Sequence, residues 1–106
     1  MLSRVQVPHE AKRGEVIAIR IVIQHAMETG FRPDSAGRLV PRNVINRFSC
    51  RYNGAELFDA ELSSGIAANP YLEFFTVAQA SGEFEFSWVD DAGEQGGARQ
   101  PILVHD

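Results

Sequence analysis

The sequence predicts an all-β protein built as a two-sheet sandwich. Short segments of apolar/polar alternation recur along the chain, and turn residues separate them at regular spacing. No stretch holds a 3.6-residue apolar period long enough for a helix. The strongest segment is Glu15 to Gly30, in which Ile17, Ile19, Ile21 and Ile23 recur with period two. That pattern puts four β-branched side chains on one face of a half-buried strand, where their stiffness suits a pleated surface.

The other elements follow in order. Leu2 to Pro8 reads as an edge strand stopped by Pro8, which has no N–H for a ladder. Residues 9–14 read as a charged turn. Phe31 to Pro41 holds Pro33, Asp34, Gly37 and Pro41, so a long loop or wide hairpin follows the central strand. In Asn43 to Asn53, Val44, Phe48, Cys50 and Tyr52 share one face with Asn46, while Ile45 shares the other with Arg47, Ser49 and Arg51. Asn53-Gly54 signals a type I′ hairpin into Ala55–Leu62. Ser63 to Pro70 is a crossing segment with room for one short helical turn through Ile66. Tyr71 to Ala78 is apolar on both parities apart from Glu73 and Thr76, which calls for cover on both sides. Phe84, Phe86 and Trp88 alternate with Glu85 and Ser87, Asp90 to Gly93 turns the chain, and Gly96-Gly97 loosens the approach to a last short strand at Pro101–Val104, with an extension back over Ala98 to Gln100 left open. About seven strands in this arrangement predict an immunoglobulin-like (fibronectin-like) sandwich, with a closed barrel as the alternative.

A chain of 106 residues and 11.7 kDa suits one domain, 1–106. The net charge of −4 hides a balance of +5 over residues 1–52 and −9 over residues 53–106. Strands from both halves interleave in a sandwich, so these need not be two surfaces, and an acidic chain of this kind is a poor candidate for nucleic acid. The N-terminal stretch has no apolar run long enough for a signal peptide or a membrane span.

Few residues point to chemistry. The single cysteine, Cys50, lies in mid-strand on the Phe48–Tyr52 face and reads as a buried structural thiol. His25 and Met27 at a strand end are copper-type ligands, but a blue-copper set needs a cysteine gathered with its histidine and methionine in one late loop, and only His105 follows Cys50. The simpler reading makes His25 a strand cap and Met27 filler at the end of the core. No serine–histidine–acid set, phosphate loop or carboxylate pair stands out. The residues describe a non-catalytic binding module, and the surplus of apolar strand faces (Tyr71–Ala78, with Ile45) describes one half of a larger assembly. Tyr71, Leu72, Phe74, Phe75 and Val77 are the candidate interface, the core-facing parity being left open. Met27 is expected to seat the His25–Gly30 loop, and Arg32, Arg38 and Arg42 to face a partner or a visiting enzyme, or simply solvent. A copper-binding or redox sandwich and a homodimeric adhesion or scaffold module are the rival readings.

Six blocks carry a family resemblance: Gly14-Glu-Val-Ile17, His25-Ala-Met-Glu-Thr-Gly30, Pro41-Arg-Asn-Val-Ile-Asn-Arg-Phe48, Asn53-Gly54, Ala68-Asn-Pro-Tyr-Leu-Glu-Phe74 and Phe86-Ser-Trp-Val-Asp-Asp91. In order and spacing, over roughly residues 5–104, the chain resembles the SoxZ family, the smaller subunits of SoxYZ sulfur carriers in thiosulfate oxidation. The resemblance implies an immunoglobulin-like sandwich with no catalytic residue and no cofactor. It implies an obligate heterodimer with a SoxY-like subunit, whose cysteine on a flexible glycine-rich C-terminal arm bears the sulfur intermediates. It further implies transient contacts with periplasmic Sox enzymes, no nucleic-acid or membrane partner, and export alongside the signal-bearing partner. Pro101 to Asp106 has neither a cysteine nor glycines around one, so this chain is not the sulfur-bearing subunit in that scheme.

Overall fold

The computed structural model describes residues 1–106. Eight strands form two sheets: β1 (Ser3–Gln6), β2 (Glu10–Lys12), β3 (Val16–Ile23), β4 (Ile45–Tyr52), β5 (Ala55–Glu61), β6 (Tyr71–Val77), β7 (Gly82–Asp90) and β8 (Gln95–His105). One sheet has the order β1-β3-β6 and the other β2-β8-β7-β4-β5. All pairings are antiparallel except β2–β8, which is parallel. Their inner faces meet in one hydrophobic core.

Period-two alternation writes most of that core. Ile17, Ile19, Ile21 and Ile23 of β3 are buried, as are Phe48, Cys50 and Tyr52 of β4, and Phe84, Phe86 and Trp88 of β7. Phe74 joins them from β6, and Ile102 and Val104 from β8. The β4–β5 turn is made by Asn53 and Gly54 at φ 50° and 80°, positive values that asparagine and glycine tolerate best. The Tyr52 hydroxyl donates to Ala80 O and accepts from the Gln79 and Ala80 N–H groups, which ties the β6–β7 connection to β4.

Several local expectations are corrected. Residues 9–14 are more than a turn: Glu10–Lys12 pairs with Leu103–His105, which makes eight strands rather than seven. Ile45 faces the core and is fully buried, because the β4–β7 register shifts between Ile45 and Arg47 and reverses the parity upstream of the shift. It is therefore no part of an outer apolar face. Ser63–Pro70 contains no helix, only a turn closed by Ile66 N–H to Ser63 O at 3.1 Å.

Gly96 and Gly97 are not loose either; they pair with Trp88 and Ser87 inside an 11-residue β8. The Trp88 ring lies over Gly96, where an added Cβ would sit 2.2 Å from Nε1. That indole N–H is buried without a hydrogen-bond partner. We expect Gly96→Ala to destabilise the fold by roughly 1–3 kcal/mol, the range for overpacking a filled core. The readout is a lower urea midpoint at unchanged slope; an unchanged midpoint would mean that the indole can step aside freely.

Candidate partner interface and loop anchor

The two outer faces of the sandwich differ in kind. On the five-stranded sheet the outward positions are mostly polar and cross-linked, although Leu103 is 54% exposed among them. Arg47 pairs with Asp59 at 2.6 Å, Arg99 with Glu83 at 3.4 Å, and the Ser49 and Ser87 hydroxyls meet at 2.7 Å. The three-stranded sheet presents Val16 opposite Val77, Ala18 opposite Phe75, Arg20 opposite Glu73 and Val22 opposite Tyr71. Val16 is 66% exposed, Phe75 61%, Tyr71 56% and Val77 41%. The Arg20–Glu73 ion pair crosses the middle of this face at 2.5 Å, and the Tyr71 hydroxyl also donates to Glu73 at 3.3 Å. The hydrogen bond from Arg20, helped by its charge, holds the Glu73 carboxyl below its ordinary range. One end of this face is thus apolar, and its centre carries no net charge.

The open choice of parity on β6 is now resolved. Phe74 is buried and half-buried Leu72 packs against the core, so both belong to the chain's own interior. Tyr71, Phe75 and Val77 point outward, joined by Val16 from β3, whose exposure the alternation of β3 already contained.

At the end of the sandwich where β3 finishes, a buried polar cluster anchors the following loop. His25 Nδ1 accepts the Met27 N–H at 2.9 Å, so the other ring nitrogen carries the proton toward Asp90 Oδ2 at 3.1 Å. Both residues are buried. Burial pushes the Asp90 carboxyl up, but hydrogen bonds from His25, the Glu94 N–H and Asn43 outweigh it and hold the group below its ordinary range. Met27, at φ 52°, is buried, and its sulfur accepts the Ile45 N–H at 3.3 Å. Asn69 closes the other side, its Oδ1 accepting the His25 N–H at 3.1 Å and its N–H donating to His25 O at 2.8 Å. Asp90 and Asn69 escaped the sequence reading because they meet His25 across 65 and 44 residues of chain.

The arginines beyond are differently engaged. Arg32 is held by Glu28 at 2.7 Å and Arg42 by Asp91 at 3.1 Å, whereas the Arg38 side chain has no ionic partner. His25 and Met27 do come together, but both imidazole nitrogens and the thioether are committed to hydrogen bonds. Cys50 lies mid-strand in β4, fully buried, and burial pushes its thiol up to about 12. No three or more His, Cys, Asp or Glu side chains are grouped so that they could hold a metal ion.

The family model for sulphur oxidation protein SoxZ matches residues 5–101. The chain belongs to the SoxZ family. No curated protein matches it. Among solved structures, a putative superoxide reductase from Thermotoga maritima is similar at TM-score 0.75 and 14% identity, covering 98% of this chain and 86% of that one. The superoxide reductase (neelaredoxin) of Ignicoccus hospitalis gives 0.73 and 16%, covering 99% and 81%. The sulfur carrier protein SoxY of Chlorobium limicola f thiosulfatophilum gives 0.66 and 7%, covering 98% and 79%. At these identities the structural likeness speaks for the fold alone. SoxZ membership gives the chain a non-catalytic role in sulfur carriage of the SoxYZ type, in a periplasmic sulfur-oxidation context.

Two outcomes follow from this geometry. Asp90 has a depressed carboxyl, so its stabilisation is present above the ordinary aspartate range near 3.9 and is lost as pH falls below it. We expect Asp90→Asn to lower stability at neutral pH and to flatten the acid limb of the stability curve below about pH 4. An acid limb identical to that of the parent chain would remove Asp90 from the anchor. Cys50 should carry no sulfur: intact mass after thiosulfate turnover is expected to show no adduct, and at pH 8 the thiol should react with a thiol reagent only on unfolding. An adduct mapped to Cys50 would contradict both expectations.

Proposed function

We propose that this SoxZ-family chain is the non-catalytic half of a heterodimeric periplasmic sulfur carrier. Its partner is a SoxY-like subunit that bears the sulfur, and the two associate through the outer face of β3 and β6. The observation carrying this reading is the apolar end of that face, Val16, Phe75 and Val77, with Tyr71 beyond the Arg20–Glu73 pair. Burying each large side chain contributes roughly 1.5–3 kcal/mol in area terms, set against the cost of association. An apolar face of this kind suits a permanent interface better than a transient one. In this reading the 106 residues act as one immunoglobulin-like domain, exported together with the signal-bearing partner. The His25–Arg42 loop serves docking on Sox enzymes. Within it His25 and Met27 fix the base, Arg32 and Arg42 brace against Glu28 and Asp91, and Arg38 is the cation left for a visitor.

Phe75 lies outside the core, so Phe75→Glu separates pairing from folding. We expect the variant to keep its near-ultraviolet signal while its affinity for the co-expressed SoxY-like subunit falls by roughly thirtyfold, about 2 kcal/mol. Unchanged affinity would move the interface elsewhere. A parent chain that holds no SoxY-like subunit at micromolar concentration would end the subunit reading altogether.

A further inference from the structure

The segment from Glu28 to Asn43 is a built structure. Glu28 and Asn43 exchange both backbone hydrogen bonds at 2.9 Å and clamp its base. Further out, Asp34 N–H donates to Arg38 O at 2.7 Å and Val40 N–H to Arg32 O at 2.8 Å. Those two bonds flank the Pro33–Leu39 bridge, whose side chains therefore form a close, non-hydrogen-bonded pair on one face. The Asp34 carboxylate accepts the Ala36 and Arg38 N–H groups, both at 2.9 Å, and closes the tip. Prolines at 33 and 41 restrict the backbone further. Every residue from Phe31 to Leu39 is exposed, so this hairpin stands clear of the sandwich.

Its two faces carry different chemistry. Extending the pairing from the bridge, Phe31, Pro33, Leu39 and Pro41 fall on one face by parity, while Arg32, Arg38 and Val40 fall on the other. Phe31 is 81% exposed and Leu39 62%. A soluble surface rarely holds an aromatic and an aliphatic side chain this open on a braced support without a use for them.

We propose that this hairpin is a preformed docking wedge: Phe31 and Leu39, flanked by Pro33 and Pro41, enter an apolar recess on an enzyme that visits the carrier. The inference rests on the carrier-subunit reading and adds apolar anchors, on the face opposite Arg38, to that transient contact. Three observations select this occupant. An exposed phenylalanine with three smaller apolar groups offers on the order of 300 Å², well short of the ~800 Å² per partner of a stable interface. That size suits a passing encounter and neither the permanent subunit nor a second copy. The charges on the hairpin, Arg32, Arg38 and Arg42 against Glu28 and Asp34, nearly cancel, and two of the arginines are paired internally, unlike the cationic surplus an anionic membrane selects. Finally, bracing removes ordering cost before contact, which lets a small apolar surface bind usefully.

The test uses the complex of this chain with its SoxY-like subunit, in a thiosulfate-oxidising extract depleted of its own carrier. Turnover is followed against carrier concentration for the parent and for Phe31→Ser/Leu39→Ser. The half-saturating concentration should rise about tenfold, as for a lost aromatic anchor, and by the same factor at low and high salt. Near-ultraviolet spectra and co-elution with the SoxY-like subunit should match the parent. An unchanged half-saturating concentration overturns the proposal. So does loss of co-elution in the variant, which would place the hairpin in the permanent interface. It also fails if the substitutions instead abolish self-association of the complex or its binding to anionic phosphatidylserine vesicles. A parent chain that does not pair at all defeats the carrier reading and this proposal together, and that result appears in the co-elution control before any turnover is measured.

Discussion

The structure depends on how Phe48 is held. Its fully buried ring lies 6.1 Å from Phe58, 6.2 Å from Phe86 and 6.4 Å from Trp88 within its own sheet, and 6.4 Å from Phe74 in the other. Phe58 and Phe74 then stack on each other at 4.6 Å and 7°, closing the aromatic bridge between sheets. Two features described above follow from this contact. Trp88 stacks on Phe48 at 16°, and the far side of its indole lies over β8, where only a glycine fits. Phe74 must face inward to reach Phe48, and the pleat then turns its neighbours Glu73 and Phe75 outward. The candidate interface is thus the obverse of the core contact.

The charge asymmetry of the sequence is also spent internally. Arg13, Arg20, Arg42 and Arg47 from the basic half pair with Asp106, Glu73, Asp91 and Asp59 from the acidic half. Exposed pairs of this kind stabilise little individually, but they leave the outer faces without a strong field. What remains distinctive is apolar: the β3–β6 face on the flank of the sandwich and the hairpin at one end. These are the two surfaces on which the proposed pairing and docking rest.

Much of this was legible in the residues, because a period of two is sensitive to burial. The isoleucines of β3 and the aromatics of β7 announced their strands and their faces, and Asn53-Gly54 announced its turn. Ile45 was misread because a single register shift inverts parity, and nothing in Asn-Val-Ile-Asn-Arg marks where that shift falls. β2 was missed because Glu-Ala-Lys has no pattern; its strand character comes wholly from the neighbour it finds at residues 103–105. Gly96-Gly97 was read as slack, since a glycine required by close approach looks the same in sequence as one that permits motion. The His25–Asp90 pair is a tertiary fact, joining a strand end to a residue read as part of a turn. A wide hairpin was one of the two readings of Phe31 to Pro41, and the bridges at Pro33–Leu39 and Glu28–Asn43 bear it out; its apolar face went unread because Pro and Gly carry no alternation.

The place of β8 bears on how the molecule is assembled in time. It lies inside its sheet, between β7 and β2, with Glu10 opposite Leu103 and therefore 93 positions away along the chain. During synthesis β4, β5 and β7 can zip together as successive antiparallel neighbours, but β2 has nothing to pair with until residues 95–105 have emerged. Such remote pairing folds slowly. Until β8 pairs, β7 and β2 each keep an unpaired strand edge, the kind of exposed edge through which incompletely folded chains associate wrongly.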